Sequence, residues 1–482
     1  VNWVRRNTSI TWQFTGGVTV TPDGIARAIH NTDYVVCNTT ADPWLADWSK
    51  AQQVPPCEPS CTKKGGGAPP LPHTAARPDI FRIGDPARPF QFRGEYYLVM
   101  GVGTNGSKSD GSAGGMRGEA WVYRARNKEL TSWSYVSVLF STNVSAGHWW
   151  SQPTNMLECP DMFPMEDKWV LLVSQIMQGG TYKGGGNTHY NQWYVGDFDG
   201  AVFTPTSQGV LDWGLMAASK TIADVANNGS SRRVLLGWLN AFDRQGSAEG
   251  EAASSTGTTS DLGSSVLWPA YESYASQVLP RELSLCSDGT LCISPIAELS
   301  ALRIASTAFH ATNLAATRCL STMRGRQLEL DAVLRAPEGA SVSGLSVLGS
   351  PDGEEFTVVG VNATHLVVDQ RQSTLRPDCR SCVSQSKTAP WWSKAAFVLN
   401  HTVRSAPLPT APQEKRLQHR VQAYLDGNTL EVFLNSRLAI TTIAFPTRGD
   451  STCVGIVGGV VSLKAWRLKD APTTGVLPMP PT

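Results

Sequence analysis

The sequence predicts an all-β protein of two domains, and three observations carry that prediction. Only 17% of the 482 residues are charged, while the chain holds 44 Gly, 30 Pro and 16 Trp. That balance belongs to a turn-rich β protein and not to a helical bundle or coiled coil. Short runs rich in aromatic and β-branched residues recur along the chain, each bounded by Gly, Asn, Asp or Ser. Near residue 303 the texture changes: Trp becomes scarce and clean apolar–polar alternation takes over. A hydrophobic content of 41% excludes global disorder. With 41 Lys+Arg against 40 Asp+Glu, the chain lacks the basic excess of a polyanion binder, so no nucleic-acid partner is expected. No apolar run approaches the ~18 residues of a membrane span, so none is expected.

In the first part, Glu95 to Gly101, Glu119 to Ala125, Lys168 to Gln175, Gln192 to Phe198 and Arg232 to Asn240 are read as strands. Short strands that each carry a Trp or Tyr suit a propeller of small sheets, and the same periodicity suits a large β-sandwich. Residues 54–72, 106–118 and 245–265 are rich in Pro, Gly, Ser or Thr and are read as loops. The stretch from Ser294 to Arg303 is read as a connector with a short helical turn. After it, Gln327 to Leu334, Glu355 to Val361, His365 to Gln370, Arg420 to Asp426, Thr429 to Asn435 and Val460 to Leu468 alternate as half-buried antiparallel strands do. The predicted organisation is therefore a domain over 1–293, a linker over 294–303 and a β-sandwich over 304–482.

Two features point to an oxidising compartment. Asn-X-Ser/Thr sequons occur at Asn7, Asn38, Asn105, Asn143, Asn228, Asn362 and Asn400. If glycosylated, they mark surface positions. Ten cysteines include the close pairs Cys57/Cys61, Cys286/Cys292 and Cys379/Cys382. Zinc would need histidines or a second pair at ligand spacing, and the eight histidines are scattered. Disulfides in a secreted chain fit better. Cys286 and Cys292 flank an Asp288-Gly289 turn, so a hairpin could join them. The sequence opens at Val1, with neither an initiator Met nor a signal peptide, and a processed N-terminus is expected.

Two strings could carry chemistry. Glu158-Cys159-Pro160-Asp161 precedes a strand and sets a carboxylate beside a thiol and a fixed Pro turn. Burial there would raise a carboxyl pKa into the range of a general acid. Phe81-Arg82-Ile83-Gly84-Asp85-Pro86 places an Asp before Pro, where the backbone is held extended. By residue type alone, each acid is equally a solvated turn residue.

Together the strings resemble the Glu-Cys-Pro-Asp and Arg-Asp-Pro signatures of glycoside hydrolase family 32, the invertases, inulinases, levanases and fructan exohydrolases. Phe14-Thr15-Gly16-Gly17-Val18-Thr19, Asp42-Pro43-Trp44-Leu45 with Trp48, and Leu211-Asp212-Trp213-Gly214 resemble further family segments. So do Arg232-Arg233 through Gly237-Trp238, Leu279-Pro280-Arg281-Glu282-Leu283, and Glu431-Val432-Phe433-Leu434-Asn435 after Asp426. The resemblance covers nearly the whole chain in the family's order.

It implies a five-bladed β-propeller followed by a β-sandwich, acting on sucrose or fructans with retention at fructose. In this family pattern Glu158 matches the acid/base and Asp85 the transition-state stabiliser. Cys159 matches a pocket thiol, expected unbridged. Phe14, Arg82, Cys159 and Asp161 are the expected substrate-binding residues. Neither metal nor cofactor is expected, since the mechanism uses carboxyl groups. The Asn-Asp-Pro-Asn-Gly motif that bears the family's nucleophile does not occur in this sequence. The first blade is therefore expected to be incomplete, with the nucleophile on an earlier segment or a separate N-terminal fragment. A catalytically inactive, secreted, carbohydrate-binding glycoprotein is the alternative. Gly84 and Leu157 stand where the family has Arg and Trp, and both are expected to touch the sugar pocket.

Overall fold

Runs that read as strands in the sequence become antiparallel sheets because each buries its apolar residues against a neighbouring sheet. The computed structural model describes residues 16–31, 35–42, 47–49, 52–53, 80–105, 116–142, 156–176, 189–225, 231–240, 275–335, 337, 341–375, 403–409, 418–444 and 446–469; for residues 31, 35–36, 52–53, 80–85, 105, 116–117, 176, 189–190, 224–225, 231, 240 and 275–276 it describes the backbone alone.

The first sheet joins β1 (Gly16–Val20), β2 (Ala26–Asn31), β3 (Val35–Thr40) and β4 (Gln52–Gln53). The second joins β5 (Ile80–Pro86), β6 (Phe90–Phe92), β7 (Glu95–Asn105), β8 (Met116–Ala125) and β9 (Trp133–Ser141). The third joins β10 (Met156–Met165), β11 (Lys168–Ile176), β12 (His189–Phe198) and β13 (Phe203–Val210). The fourth joins β14 (Met216–Val225), β15 (Ser231–Asn240), β16 (Ala275–Gln277), β17 (Arg281–Leu285) and β18 (Leu291–Pro295). Each of these sheets is essentially an up-and-down meander, and the first strands β1, β5, β10 and β14 lie beside one another in series.

Separate apolar clusters glue successive sheets. Ile29 and Cys37 meet Leu98, Met100 and Trp121 between the first and second sheets. Val99, Val122 and Leu139 meet Leu157, Met162 and Leu171 between the second and third. Phe163 and Leu172 meet Leu215 and Leu235 between the third and fourth. Sheets packed face to face around their first strands form a β-propeller, not one large sandwich. Four blades lie among the described residues. Residues 1–15, which include Phe14, lie outside them, as do 54–72 and 245–265 of the expected loops. Of the expected loop 106–118, residues 116–118 belong to β8 instead.

Strand β18 takes in the first two residues of the expected connector, which continues as a 3-10 turn over Ala297–Leu302. Beyond it, β19 (Phe309–Leu314), β20 (Gln327–Arg335), β25 (Gln418–Asp426), β26 (Thr429–Leu434), β27 (Leu438–Ile443) and β29 (Val460–Arg467) form one sheet. The facing sheet holds β21 (Ser343–Gly349), β22 (Thr357–Val361), β23 (His365–Asp369), β24 (Val403–Pro407) and β28 (Cys453–Val457). Leu328, Leu330, Val347, Val359, Leu425 and Val432 fill the space between them. The alternation read in the sequence is the two-faced pattern of such a sandwich.

The seam between the domains is built on charge. Arg281, fully buried, ion-pairs with Asp212 at 2.8 Å and Glu431 at 2.9 Å. Burial works against its charge, but the two carboxylates outweigh it and hold the guanidinium above its usual pKa. Asp212 also accepts hydrogen bonds from the backbone N–H and the hydroxyl of Thr441. A Cβ at Gly214 would collide with the Thr441 carbonyl, so this position admits only glycine at the seam.

Cys286–Cys292 forms the expected disulfide across its hairpin, and Cys319–Cys453 closes a span of 134 residues. One sequon is corrected by the structure. Asn38 is buried, with its side-chain amide donating to the Ser49 carbonyl, so the folded sheet has no room there for a glycan.

Arg281→Met leaves Asp212 and Glu431 as buried carboxylates without their cation; a loss of about 3–5 kcal/mol is expected in chemical denaturation. Peptide mapping of protein from a eukaryotic secretory host should find Asn38 unmodified, whereas Asn362, in a partly exposed turn, is open to a glycan.

Candidate active site

The first strands crowd together on one axis, and three of them carry an extra residue. On β10 the pairing with β11 shifts between Glu158 and Asp161. On β5 the pairing with β7 shifts between Ile83 and Pro86, the stretch that contains Asp85. On β14 the pairing with β15 shifts between Ala217 and Lys220. Such bulges bend a strand and re-aim its side chains, and they recur beside active sites. Cys159 (φ 49°) and Ala218 (φ 50°) absorb the extra residue in the left-handed region. For a residue with a Cβ this costs on the order of 1–2 kcal/mol, which the surrounding packing must supply.

The bulge separates the residues of the Glu158 string by role. Glu158 is partly exposed and stands opposite Ser174 of β11. Ser174 in turn accepts a hydrogen bond from the Ala218 N–H, across the gap to β14, at 2.9 Å. Cys159 is buried and lies outside the disulfides, as expected. Leu157 does not reach a sugar pocket: it is fully buried in the cluster between the second and third blades. The pleat turns it toward β7, where Gly101 lies directly against its carbonyl.

Asp161 is sealed from solvent. One of its oxygens accepts from both the Thr221 N–H (2.7 Å) and the Thr221 hydroxyl (2.6 Å), pinning β10 to β14. Nearby, Arg233 lies over the Phe163 ring at 4.3 Å. Burial, reinforced by the Arg88 charge and opposed by Asp161, lowers the Arg233 pKa to about 10.

The strands bearing the two acids are joined by a residue that sequence reasoning missed. The Lys220 ammonium donates to the Pro86 carbonyl (3.2 Å) and to the Pro160 carbonyl (2.8 Å). Those two oxygens therefore lie within about 6 Å of each other. The backbones that follow Asp85 and Glu158 thus converge on one cation. Arg82 sits on β5 opposite Gly103, with its side chain, like that of Asp85, outside the description. Phe14 lies outside the described residues. The signal that could have exposed Lys220 and Thr221 is weak: a polar Ser219-Lys220-Thr221 triplet between Ala218 and Ile222, in a stretch the sequence left unassigned.

Residues 6–260 match the glycosyl hydrolases family 32 N-terminal domain, and residues 298–467 match the glycosyl hydrolases family 32 C-terminal domain. A sucrose-6-phosphate hydrolase of Zymomonas mobilis is 24% identical over 411 residues, covering 82% of this chain and 68% of that protein. A cell-wall β-fructofuranosidase of Zea mays is 26% identical over 243 residues, covering 46% of this chain and 34% of that protein. Among solved structures, fructan 1-exohydrolase IIa from Cichorium intybus in complex with 1-kestose superposes with a TM-score of 0.65 at 15% identity. The match covers 95% of this chain and 84% of that one, and at that identity it is a likeness of fold.

Gly101→Ala places a methyl group on the Leu157 carbonyl and must push β7 away from β10. Because the obstacle is backbone, the expected outcome is a loss of about 1–3 kcal/mol, read as a lower melting temperature.

Proposed function

Since this chain belongs to glycosyl hydrolase family 32 and is a glycoside hydrolase, we propose that it cleaves β-fructofuranosyl bonds of sucrose or fructans. The observation that carries the site assignment is the convergence of β5 and β10 on the Lys220 ammonium. It brings the backbones carrying Asp85 and Glu158 into one neighbourhood, as a pair of cooperating carboxyl groups requires.

Glu158 is the acid/base. It first protonates the leaving glycosidic oxygen, and then takes a proton from the water that releases fructose. Its partial exposure at the lip of a bulge suits a group that must exchange protons with substrate and water. Asp85 holds fructosyl hydroxyls while positive charge builds at the anomeric carbon. The nucleophilic carboxylate comes from a segment that precedes Val1 in the family pattern, and that segment completes a ring of five blades. Phe14 and Arg82 line the sugar site. Asp161, buried, joins the third and fourth blades through one oxygen on Thr221.

The names of the similar proteins, a sucrose-6-phosphate hydrolase and a β-fructofuranosidase, support the substrate class. The two disulfides among the described residues support an oxidising compartment, and with the sequons they favour a secreted glycoprotein. Among the described residues no helix is long and apolar enough to cross a membrane.

Incubation of the complete protein, with the segment that carries the nucleophile, with sucrose, and separately with inulin, should release free fructose. Release from neither substrate would favour the non-catalytic, sugar-binding alternative. Glu158→Gln should lower kcat by roughly 10²–10⁴. Turnover equal to the parent protein would remove Glu158 from the acid/base role.

A further inference from the structure

We propose that Lys220 is a positioning residue for catalysis: its ammonium sets the spacing between the two acid-bearing strands and so the geometry in which Asp85 and Glu158 meet the sugar. The inference rests on the assignment of those acids above and adds to it a residue from the next blade.

The argument starts from unmet backbone acceptors. The bulge on β10 takes Cys159 and Pro160 out of the ladder with β11, because pairing resumes only at Asp161. Pro86 is the last residue of β5, paired at a second bulge. Both carbonyls face the crowded axis, where a buried acceptor without a donor is costly. A lysine meets both at once. It is a compact cation with several donors on a flexible stem, so one side chain can satisfy carbonyls from two strands. Lys220 reaches them across 134 and 60 residues of sequence, so the contact exists only in the assembled ring.

The anchoring of Lys220 is itself fixed. The bulge at Ala218 turns the strand, the Ala218 N–H is held by Ser174, and the next residue, Thr221, is clamped to Asp161. Every one of these contacts ties β14 to the blade that carries Glu158. Lys220 extends the tie to the blade that carries Asp85. Removing the ammonium leaves the third and fourth blades joined through Asp161–Thr221, but frees β5 to move relative to β10. The loss should therefore fall on the relative placement of the acids, and not on the folding of either blade.

The test compares parent protein, Lys220→Met, Lys220→Arg and Glu158→Gln, each in the complete protein with the segment that carries the nucleophile, with sucrose as substrate. Lys220→Met should lower kcat by about 10²-fold, the scale expected for displacement of a catalytic group by about 1 Å. KM should stay within about threefold, because the interaction contributes to the transition state and not to binding. Lys220→Arg, which keeps a cation and two donors, should recover activity to within about tenfold of the parent. A purely structural role would lower the melting temperature without this kcat-against-KM split or the rescue by Arg. If Glu158→Gln abolishes turnover while Lys220→Met keeps the parent kcat, the positioning role is overturned and the acid assignment stands. If Glu158→Gln turns over normally, the acid assignment falls first. A crystal structure of Lys220→Met gives a readout free of activity: a Pro86 to Pro160 carbonyl separation that has widened supports the proposal, and an unchanged separation overturns it.

Discussion

Everything in the candidate site follows from crowding at the axis, where the first strands of successive blades approach more closely than ordinary side chains permit. The chain meets this constraint in three ways. It omits a side chain where backbones touch, as at Gly101 against the Leu157 carbonyl. It inserts one residue into β10 and β14 and two into β5, which bends each strand. It spans the remaining gaps with polar side chains, Lys220 to two carbonyls and Asp161 to Thr221. The same devices that relieve crowding also release a carboxylate at the lip of a bulge. A regular strand would have alternated it strictly in or out.

A second polar centre holds the two domains together. Asp212, Arg281 and Glu431 each sit in a different segment that resembles the family pattern, and the fold brings all three into one buried ion cluster. These segments therefore lie at the seam and not in the sugar pocket. Burying three charges is worthwhile only when each finds its partner, so the cluster acts as a test of correct docking as much as a source of stability. The apolar contribution comes from Phe433, Ala439 and Ile443, which complete the core of the third and fourth blades.

Much of the strand content was legible, because a strand is declared locally. The runs beginning at Glu95, Lys168 and Arg420 became β7, β11 and β25, since aromatic and β-branched residues at period two have few other stable uses. The Cys286–Cys292 disulfide was legible for the same reason: its two halves flank a single turn. Leu157 was misplaced because position in a motif does not say which way a pleat faces, and a one-residue bulge reverses it. The bond between Asp161 and Thr221 was not legible, because the two are 60 residues apart. Asn38 kept its sequon while the sheet buried its side chain, which no triplet pattern records.

The sequence by itself determined the all-β class, the change from one kind of sheet to another near residue 303, and the order of the motif segments. Each of these depends on residues close together in the chain. Only the tertiary structure decided that blades pack around a common axis instead of as one large sandwich. It likewise decided that Lys220 bridges two carbonyls and that Arg281 finds two carboxylates. The reason is physical: those outcomes are contacts between distant segments, fixed by how sheets stack and where their registers slip, and no local pattern of side chains encodes the distance between them.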